Sequence, residues 1–460
     1  MKAWRVEYRL RKNAFPDRRF SPFWEELGKD PFKTENEKLK LLWDSKVPGS
    51  GAPEHLIVGA IQAVENMGRD VRKAERLLKE GFKAYYSGNF RLLSVITAKI
   101  FHFLNTAPEL KGHQYHFFKR PLEWNEISFK FPDVKYEVDS TMVTEKICGG
   151  WFGQIAGASM GTPLEGYMHR ALVNRFGKNP GRFVRKPDTY NDDITYEIAF
   201  LEALKLRGEI SPEKIAMKWV ELIPSGWSAE QVALENLRKG IFPPLSGTWG
   251  NPFQEWIGAA MRTMVAGIIS PGDPKRASYL AYIDSQISHS GNGLYGGIFV
   301  AALVSLAFVF TEPEKLLIKA IKYIPKGSEL ESIVWEVMSY CSGTGNPDRV
   351  RKFIEKRFKT YNWIHLYPNV SSVITAIYFS EGSFDRAMEI VSSFGYDVDC
   401  NGGIVGTVLG VMNGEKGISN YWKAPFNGKI KTYLPEFREI PISELCEVSK
   451  KFANGGNYAY

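Results

Sequence analysis

Residues 149–161 read GGWFGQIAGASMG and place a glycine at every fourth position, namely Gly149, Gly153, Gly157 and Gly161. A second segment, 401–410, reads NGGIVGTVLG and has the same spacing at Gly402, Gly406 and Gly410. Residues four apart share one face of an α-helix, so each pattern predicts a helix that another helix can approach closely. Glycine inside a helix costs up to about 1 kcal/mol relative to alanine. Tight helix packing at the centre of the fold is the offset that we expect.

Most of the chain between these segments also has helical periodicity. The pattern predicts helices at 146–160, 193–206, 212–222, 229–238, 255–269, 274–288, 294–310, 313–323, 328–341, 347–358, 369–379, 384–393 and 402–412. Strand signals are few and short, so we predict an all-α core. We assign residues 1–140 to an N-terminal accessory region with helices at 55–66 and 71–86. Residues 141–460 form the predicted helical domain, including a C-terminal tail with a last helix at 442–452.

Charge and composition narrow the function classes only slightly. The chain has 460 residues and a net charge of +8, and part of the excess lies between Lys2 and Arg19. A basic surface suits anionic partners such as phosphates, nucleotides or nucleic acid, although it also aids solubility. No zinc-finger spacing or RNA-binding signature accompanies the charge. A nucleic-acid partner is therefore an alternative that rests on the basic N-terminal segment alone.

Cysteine usage and hydropathy favour a cytoplasmic protein without a membrane span. The four cysteines, Cys148, Cys341, Cys400 and Cys446, are too scattered to predict a disulfide framework or a zinc knuckle. The first residues contain no apolar signal-peptide core. An uncharged run at 290–311 is long enough to cross a bilayer. Its glycines and polar start favour a buried central helix instead.

Two acidic clusters lie about 200 residues apart, each at the entrance of a predicted helix. The first is Asn191-Asp192-Asp193, and the second contains Asp397 and Asp399. One acid at each position would serve as a helix cap. Four carboxylates brought together would repel one another unless a cation lay between them, so we predict a metal site. Oxygen ligands favour Mg²⁺, Mn²⁺ or Ca²⁺ over zinc.

Three further polar residues stand out, each with an ordinary structural explanation beside the functional one. Glu165 follows the first glycine-rich helix, where a single glutamate is usually a solvated surface group. His289 lies in a polar loop, where a histidine is more often structural than catalytic. Arg262 could bind a phosphate or simply pair with a carboxylate.

These segments, in this order, resemble the ADP-ribosylglycohydrolase family. Residues 153–165 are similar to the family's first-helix motif, which ends in its catalytic glutamate, and 191–194 to its Ser/Thr-Asp-Asp-Thr motif. Residues 258–262 are similar to its Asn-Gly-x-x-Met-Arg-like segment, and 288–290 to its Thr-His loop. Residues 395–401 are similar to its Gly-x-Asp-x-Asp-Thr motif. The resemblance covers about 270 residues, from near 146 to 413, and five motifs in one order are specific.

The resemblance implies an all-α core that holds two Mg²⁺ ions, with Mn²⁺ as an alternative, and hydrolyses the glycosidic bond of an ADP-ribosyl group. It implies Glu165 and Asp193 as catalytic residues. The implied metal ligands are Asn191, Asp192, Asp193, Asp397, Asp399 and Cys400. The substrate-binding residues that we expect are Gly161, Arg262, His289, Gly395 and Tyr396, and the aromatic residues Tyr190, Tyr396 and Trp151 could stack on a base.

Four positions depart from the family pattern. Asn191 replaces a Ser/Thr ligand, Ile194 a threonine, Cys400 a threonine ligand and Ala158 an acid, and they indicate a divergent branch with an Asp-Cys-Asn ending. A thiol is a poor Mg²⁺ ligand, and Asn401 could replace it. The predicted function is therefore a Mg²⁺-dependent hydrolase that releases ADP-ribosyl from a protein, nucleic acid or small molecule. The alternatives are hydrolysis of a nucleoside or another ribosylated metabolite, and a non-catalytic relative that binds ADP-ribose or a nucleotide.

Overall fold

The computed structural model describes residues 2–14, 32–177, 180–187, 189–190 and 192–455, and their regular structure is almost entirely helical. The helices of the N-terminal part are α1 Ala3–Asn13, α2 Lys33–Trp43, α3 Leu56–Asn66, α4 Arg72–Tyr86, α5 Phe90–Asn105 and α6 Trp124–Ile127. The helices of the core are α7 Val143–Gly161, α8 His169–Phe176, α9 Asp192–Leu204, α10 Pro212–Leu222, α11 Ser228–Arg238, α12 Leu245–Thr248, α13 Gly258–Arg262, α14 Met264–Ile268, α15 Pro274–Ser285, α16 Gly291–Ala307, α17 Pro313–Ile321, α18 Glu329–Thr344, α19 Pro347–Arg357, α20 Leu366–Tyr378, α21 Phe384–Phe394, α22 Val398–Asn413, α23 Asn420–Lys423 and α24 Ile442–Ala453. The all-α prediction is confirmed.

Sheet structure in the described residues is limited to two short antiparallel pairs. Strands β1 Ser45–Lys46 and β2 Pro53–Glu54 pair with Ser45 opposite Glu54. Strands β3 Lys429–Lys431 and β4 Glu439–Pro441 pair with Ile430 opposite Ile440. Four short 3₁₀ helices, at Gln114–Phe117, Ser128–Lys130, Glu415–Gly417 and Ala424–Phe426, complete the regular elements.

The two glycine-rich helices, α7 and α22, pack against each other in antiparallel orientation along their glycine faces. A Cβ added at Gly149, Gly153 or Gly157 would overlap the carbonyl oxygen of Gly410, Gly406 or Gly402, respectively. The backbones are therefore in direct contact, and no larger side chain fits between them. This close approach provides the packing that offsets the cost of seven helical glycines.

The long uncharged run forms α16, and all of its residues are buried. Helices α13, α14 and α15 pack around it. No helix within the described ranges has both the length and the apolar character required to cross a membrane. The prediction of a buried central helix thus agrees with the structure.

Several local predictions were wrong. The single helix expected at 255–269 is interrupted at Thr263, which separates α13 from α14. The Thr263 hydroxyl donates to the Gly297 carbonyl. The helices that were not predicted are α1, α2, α5, α6, α8, α12 and α23. Cys148 and Cys446 form a disulfide between α7 and α24, although the cysteine spacing predicted none, because 298 residues of sequence separate partners that are neighbours in space.

The N-terminal helices pack against one side of the core. The amide groups of Gln62 and Asn66 in α3 donate to the carbonyl of Thr360. The Tyr115 hydroxyl donates to Glu255 Oε1 at 3.0 Å. Helix α1, in contrast, exposes all of its residues. The division of the chain near residue 140 stays a prediction.

Candidate active site

Three helix ends bring the predicted acids together. Glu165 lies in the turn that follows α7, Asp192 and Asp193 begin α9, and Asp399 lies in the first turn of α22. The last contact of the glycine faces fixes two of these ends, because a Cβ at Gly161 would overlap the backbone of Val398 and Asp399. The packing of α7 against α22 along their glycine faces therefore positions the loop of Glu165 beside the second acidic cluster.

The second cluster lies at the beginning of α22, which starts at Val398, before the start predicted at 402. Asp397 is the residue before α22, and Asp399 and Cys400 follow in its first turn. One ligand atom from each of these three residues lies within 4.8 Å of the other two. The Cys400 thiol donates to Asp193 Oδ1 at 3.5 Å, which joins this cluster to α9. Both acidic clusters thus meet at one point.

The acids at this point are buried. Asp193 exposes none of its surface, Asp397 5%, Asp399 6% and Glu165 7%, whereas Asp192 is partly exposed. Burial disfavours the charged form of a carboxyl group, and neighbouring negative charges add to this effect. Asp192 is therefore the most exposed of the five acids.

The electrostatics of the cluster follow from this burial. Burial, followed by repulsion from Asp399, raises the pKa of Glu165, Asp193 and Asp397 well above the usual carboxyl values. The same two causes raise the pKa of Asp192 to about 6. Burial, together with the charge of Asp193, also raises the pKa of the Cys400 thiol. Each carboxylate would be more stable with a positive charge nearby.

Unpartnered oxygen atoms indicate where that positive charge fits. Asp397 Oδ1 and Asn401 Oδ1 are buried without a hydrogen-bond partner in the described structure. The Asn401 amide nitrogen donates to Asn369 Oδ1 at 2.8 Å, and the Asp397 backbone N–H donates to the same oxygen at 3.1 Å. Carboxylate and amide oxygens are ligands that suit a hard divalent cation. The residues present therefore fit the implied metal.

Asn191 and Cys400 are the two remaining predicted metal ligands. Asn191 lies outside the described residues. Cys400 lies inside the cluster, where its thiol contacts Met261 Sδ at 3.7 Å as well as Asp193. Sulfur is a weak ligand for Mg²⁺, whereas the free Asn401 Oδ1 is a suitable one. The order Asp-Cys-Asn thus still places an oxygen donor at the end of the motif.

Arg262 is fully buried beside the cluster, and its hydrogen bonds go to protein groups. Its guanidinium Nε donates to Asp284 Oδ2 at 2.6 Å and Nη1 donates to Glu230 Oε1 at 2.8 Å. The sequence suggested either a phosphate or a carboxylate as the partner of Arg262, and in the structure Arg262 pairs with carboxylates. The guanidinium therefore anchors α13, and through it Met261, rather than projecting a free charge into the site.

His289 belongs to the same buried network. Its Nδ1 lies 2.7 Å from the Ser288 hydroxyl and 3.8 Å from Glu230 Oε1. Burial, together with the charge of Arg262, lowers the pKa of His289 well below its usual value, so the imidazole is neutral. Its Nε2 is buried without a partner among the described residues. That nitrogen is a vacant hydrogen-bonding position of the network.

The other predicted substrate-binding residues flank the loop of Glu165. Gly395 adopts a φ of +73° and packs against the Tyr167 carbonyl, where a Cβ would overlap that oxygen. The Tyr396 carbonyl accepts a hydrogen bond from the Gly166 N–H at 2.8 Å. Both contacts hold the turn after Glu165 against the residues that precede Asp397.

The aromatic residues suggested for base stacking have different environments in the structure. Trp151 is buried in α7 and donates to the Ser449 hydroxyl, so it belongs to the core. Tyr190 is 53% exposed and lies next to α9. Sequence reasoning missed Tyr433, whose side chain hydrogen-bonds Thr195 and whose raised pKa reflects burial and the nearby charge of Asp192. No local pattern distinguishes Tyr433 from the many other tyrosines, so only the fold could reveal it.

With this geometry established, comparison with known proteins identifies the family. A family model described as ADP-ribosylglycohydrolase matches residues 139–451, which is more than half of the chain. The chain belongs to the ADP-ribosylglycohydrolase family. Among solved structures it is similar to an ADP-ribosylglycohydrolase-related protein complex, with 16% identity and a TM-score of 0.44 over 68% of this chain and 99% of that one. None of the curated proteins compared matches it.

Membership confirms the resemblance inferred from the five motifs. ADP-ribosylglycohydrolases act on ADP-ribosylated substrates and are generally metal-dependent, so the chain is a hydrolase of this general type. The matched residues include Glu165 and all four aspartates of the cluster.

Proposed function

We propose that this ADP-ribosylglycohydrolase hydrolyses the glycosidic bond between an ADP-ribosyl group and its acceptor, with magnesium bound at the acidic cluster. The observation that carries the proposal is the clustering of three buried aspartates and the buried Glu165 with the partly exposed Asp192, beside unpartnered oxygen atoms of Asp397 and Asn401. So many buried carboxylates are costly unless a cation compensates their charge. A structural role as helix caps would require only one acid per helix.

Asp192, Asp193, Asp397 and Asp399 are the proposed ligands, with Asn401 Oδ1 as a further oxygen donor. Asn191 remains a proposed ligand from its position in the motif. When bound, Mg²⁺ supplies the positive charge that the cluster lacks and a template for the ribose hydroxyls. Manganese satisfies the same oxygen donors.

Glu165 is the proposed general acid/base at the scissile bond. In this hydrolysis a water oxygen forms a bond to the anomeric carbon while the bond to the acceptor nitrogen or oxygen breaks, and the acceptor leaves with a proton. The turn after α7 holds the Glu165 carboxyl group next to Asp399, and in the proposed mechanism this group exchanges that proton. Asp193, from the opposite helix, is the second proposed catalytic residue and orients the attacking water.

The deciding experiment measures the release of ADP-ribose from ADP-ribosylated arginine and serine compounds, with magnesium and with a chelator. We expect release only with magnesium. Glu165→Gln is expected to reduce kcat by about 100-fold or more, because general acid–base catalysis contributes roughly 10²–10⁴-fold. Glu444→Gln, an exposed glutamate in the first turn of α24, is the matched control. Release at the wild-type rate by Glu165→Gln, or in chelator, would overturn the proposal.

A further inference from the structure

A short hairpin from outside the family match lies directly against Glu165. The hairpin consists of residues 45–54, in which β1 and β2 are joined by the loop 47–52. Within it, the Val47 N–H donates to the Ala52 carbonyl and the Gly51 N–H donates to the Val47 carbonyl, both at 2.9 Å. These bonds give the loop a defined shape, although it contains two glycines at positive φ, Gly49 and Gly51.

The tip of the hairpin reaches the proposed catalytic glutamate. A Cβ placed on Gly49 would lie 3.6 Å from Glu165 Oε1 and would overlap Thr162 Cγ2. Gly49 itself is exposed on its other side, whereas Glu165 is buried. The hairpin therefore separates the Glu165 carboxyl group from solvent.

Contacts on both flanks hold the hairpin in this position. On one flank, the Tyr167 hydroxyl donates to the Ser50 carbonyl at 3.2 Å, and Ala52 packs against Gly166. On the other flank, the Trp227 indole N–H donates to Glu54 Oε2 at 3.1 Å, which ties β2 to the start of α11. Val47, Ala52 and Glu54 are all buried. A loop anchored on two sides acts as a fixed wall.

The position of this wall limits what can lie beyond the scissile bond. If Glu165 exchanges a proton with the leaving group, as the proposed function requires, that group must lie within hydrogen-bonding reach of the Glu165 carboxyl group, beside the tip of the hairpin. In the proposed function the ribose lies towards the aspartates, of which Asp192 is partly exposed. Gly49 and its neighbours occupy one side of the space next to the Glu165 carboxyl group and so limit the size of a leaving group there.

We propose that the hairpin restricts this hydrolase to ADP-ribosyl compounds with small leaving groups and excludes an ADP-ribosyl group attached to a folded protein. This inference rests on the proposed function and narrows its substrate class. The wall comes from the N-terminal region, so it is a feature of this chain beyond the residues that the family model matches.

The test compares one linkage in two forms, ADP-ribosyl-arginine and ADP-ribosylated arginine on a folded protein. For the wild-type chain we expect kcat/KM to be about 100-fold or more lower on the protein form, the size of discrimination that steric exclusion can produce. The double variant Tyr167→Phe, Trp227→Phe loses both anchoring hydrogen bonds. It should raise kcat/KM on the protein form about tenfold and leave the small form within about twofold.

A second pair of variants examines the contact with Glu165 itself. Gly49→Ala places a methyl group towards Thr162 and Glu165 and should reduce kcat/KM on ADP-ribosyl-arginine about tenfold. Gly51→Ala carries the same strain of positive φ, but nothing lies within 4 Å of its added Cβ. It is therefore the control for backbone strain, and we expect a smaller reduction that is equal for both forms of substrate.

The outcomes separate this inference from the proposed function. If the wild-type chain has equal kcat/KM on both forms, the hairpin does not exclude folded proteins, and the proposed hydrolase activity still stands. Equal effects of Gly49→Ala and Gly51→Ala would also overturn the exclusion by the hairpin. If the wild-type chain releases no ADP-ribose from either form, and calorimetry detects no ADP-ribose binding with magnesium, the proposed function fails and the wall fails with it.

Discussion

The charge of Asp399, at the start of α22, destabilises the metal-free protein and would stabilise a bound cation. Asp399 raises the pKa of Glu165, Asp193 and Asp397 through its charge. Its Oδ1 accepts the Cys400 N–H at 3.0 Å, a bond that an asparagine could also form. The start of the helix therefore does not need the negative charge of Asp399, whereas binding of a cation does.

Asp399→Asn is predicted to raise the Tm of the metal-free protein by a few degrees, because it removes buried repulsion between carboxylates. Saturating magnesium should raise the wild-type Tm, since a ligand at 100 times its Kd stabilises by about 2.7 kcal/mol, and this rise should disappear in the variant. Asp348→Asn changes an exposed acid in the first turn of α19 and is the control. An equal magnesium-induced rise in Asp399→Asn and wild type, measured by calorimetry, would contradict the metal site.

Glu255 is a second buried acid whose ionisation affects stability, away from the proposed metal ligands. It accepts hydrogen bonds from Tyr115 of the N-terminal region and from the backbone and side chain of Asn292. Burial raises its pKa from 4.5 to about 7. The folded protein thus holds this proton more tightly than the unfolded chain. The resulting stability is complete below about pH 4.5 and is lost as the pH rises through 7.

Glu255→Gln removes this titration, because the amide stays neutral. We expect the free energy of unfolding of the variant, relative to wild type, to increase from pH 5 to pH 8 by up to about 3 kcal/mol. Denaturant unfolding at the two pH values measures the difference. Glu312→Gln, at an exposed position, should show no such change. Parallel pH profiles for wild type and Glu255→Gln would refute the assignment.

At the scale of elements, the pair α7 and α22 determines the site. The glycine faces bring the two backbones into contact, and that contact ends where Gly161 meets Val398 and Asp399. Any side chain between the helices would separate Glu165 from the second acidic cluster. Packing and the proposed catalytic site therefore depend on the same interface.

Gly157→Ala is predicted to lower the free energy of unfolding by about 3 kcal/mol or more, because the added methyl overlaps the Gly402 carbonyl and the backbone must shift. Gly343→Ala in α18 is the matched control, since nothing lies within 4 Å of its added Cβ. That control should be neutral or stabilising by up to about 1 kcal/mol. Equal stability of the two variants in denaturant unfolding would show that the helices can separate without cost.

At the scale of the whole molecule, the disulfide between Cys148 and Cys446 fastens the last helix to the glycine-rich α7. The Trp151 indole in α7 donates to Ser449 of α24 at 3.0 Å, so the same two helices also share a buried polar contact. The cross-link closes a segment of 298 residues, and long closed segments lose the most entropy in the unfolded chain.

Replacing both cysteines, Cys148→Ser with Cys446→Ser, should lower the free energy of unfolding by about 2–5 kcal/mol. A reductant should lower the Tm of the wild-type chain to about that of the double variant and leave the Tm of the double variant unchanged. Cys341→Ser, at a buried free cysteine, should retain the response to reductant. Four free thiols in the unreduced, denatured wild-type chain would contradict the cross-link.

The sequence alone determined the features that depend on local spacing. Glycine at every fourth position specified two helices with smooth faces, and the periodicity between them specified nearly every core helix, because both signals arise within a few residues. The paired acids, read with five ordered motifs, indicated a metal-dependent hydrolase of ribosyl bonds. The role of each site residue remains a prediction that the variants above can test.

Only the tertiary structure decided the features that join distant segments. It gave Arg262 the carboxylates Glu230 and Asp284 as partners, paired Cys148 with Cys446, and placed the hairpin 45–54 against Glu165. It also brought Tyr433 to the start of α9. None of these contacts has a local signature, because each depends on how helices pack across more than twenty residues of chain. The acids proposed to bind metal and to react were thus visible in the sequence, whereas the residues that surround and support them were not.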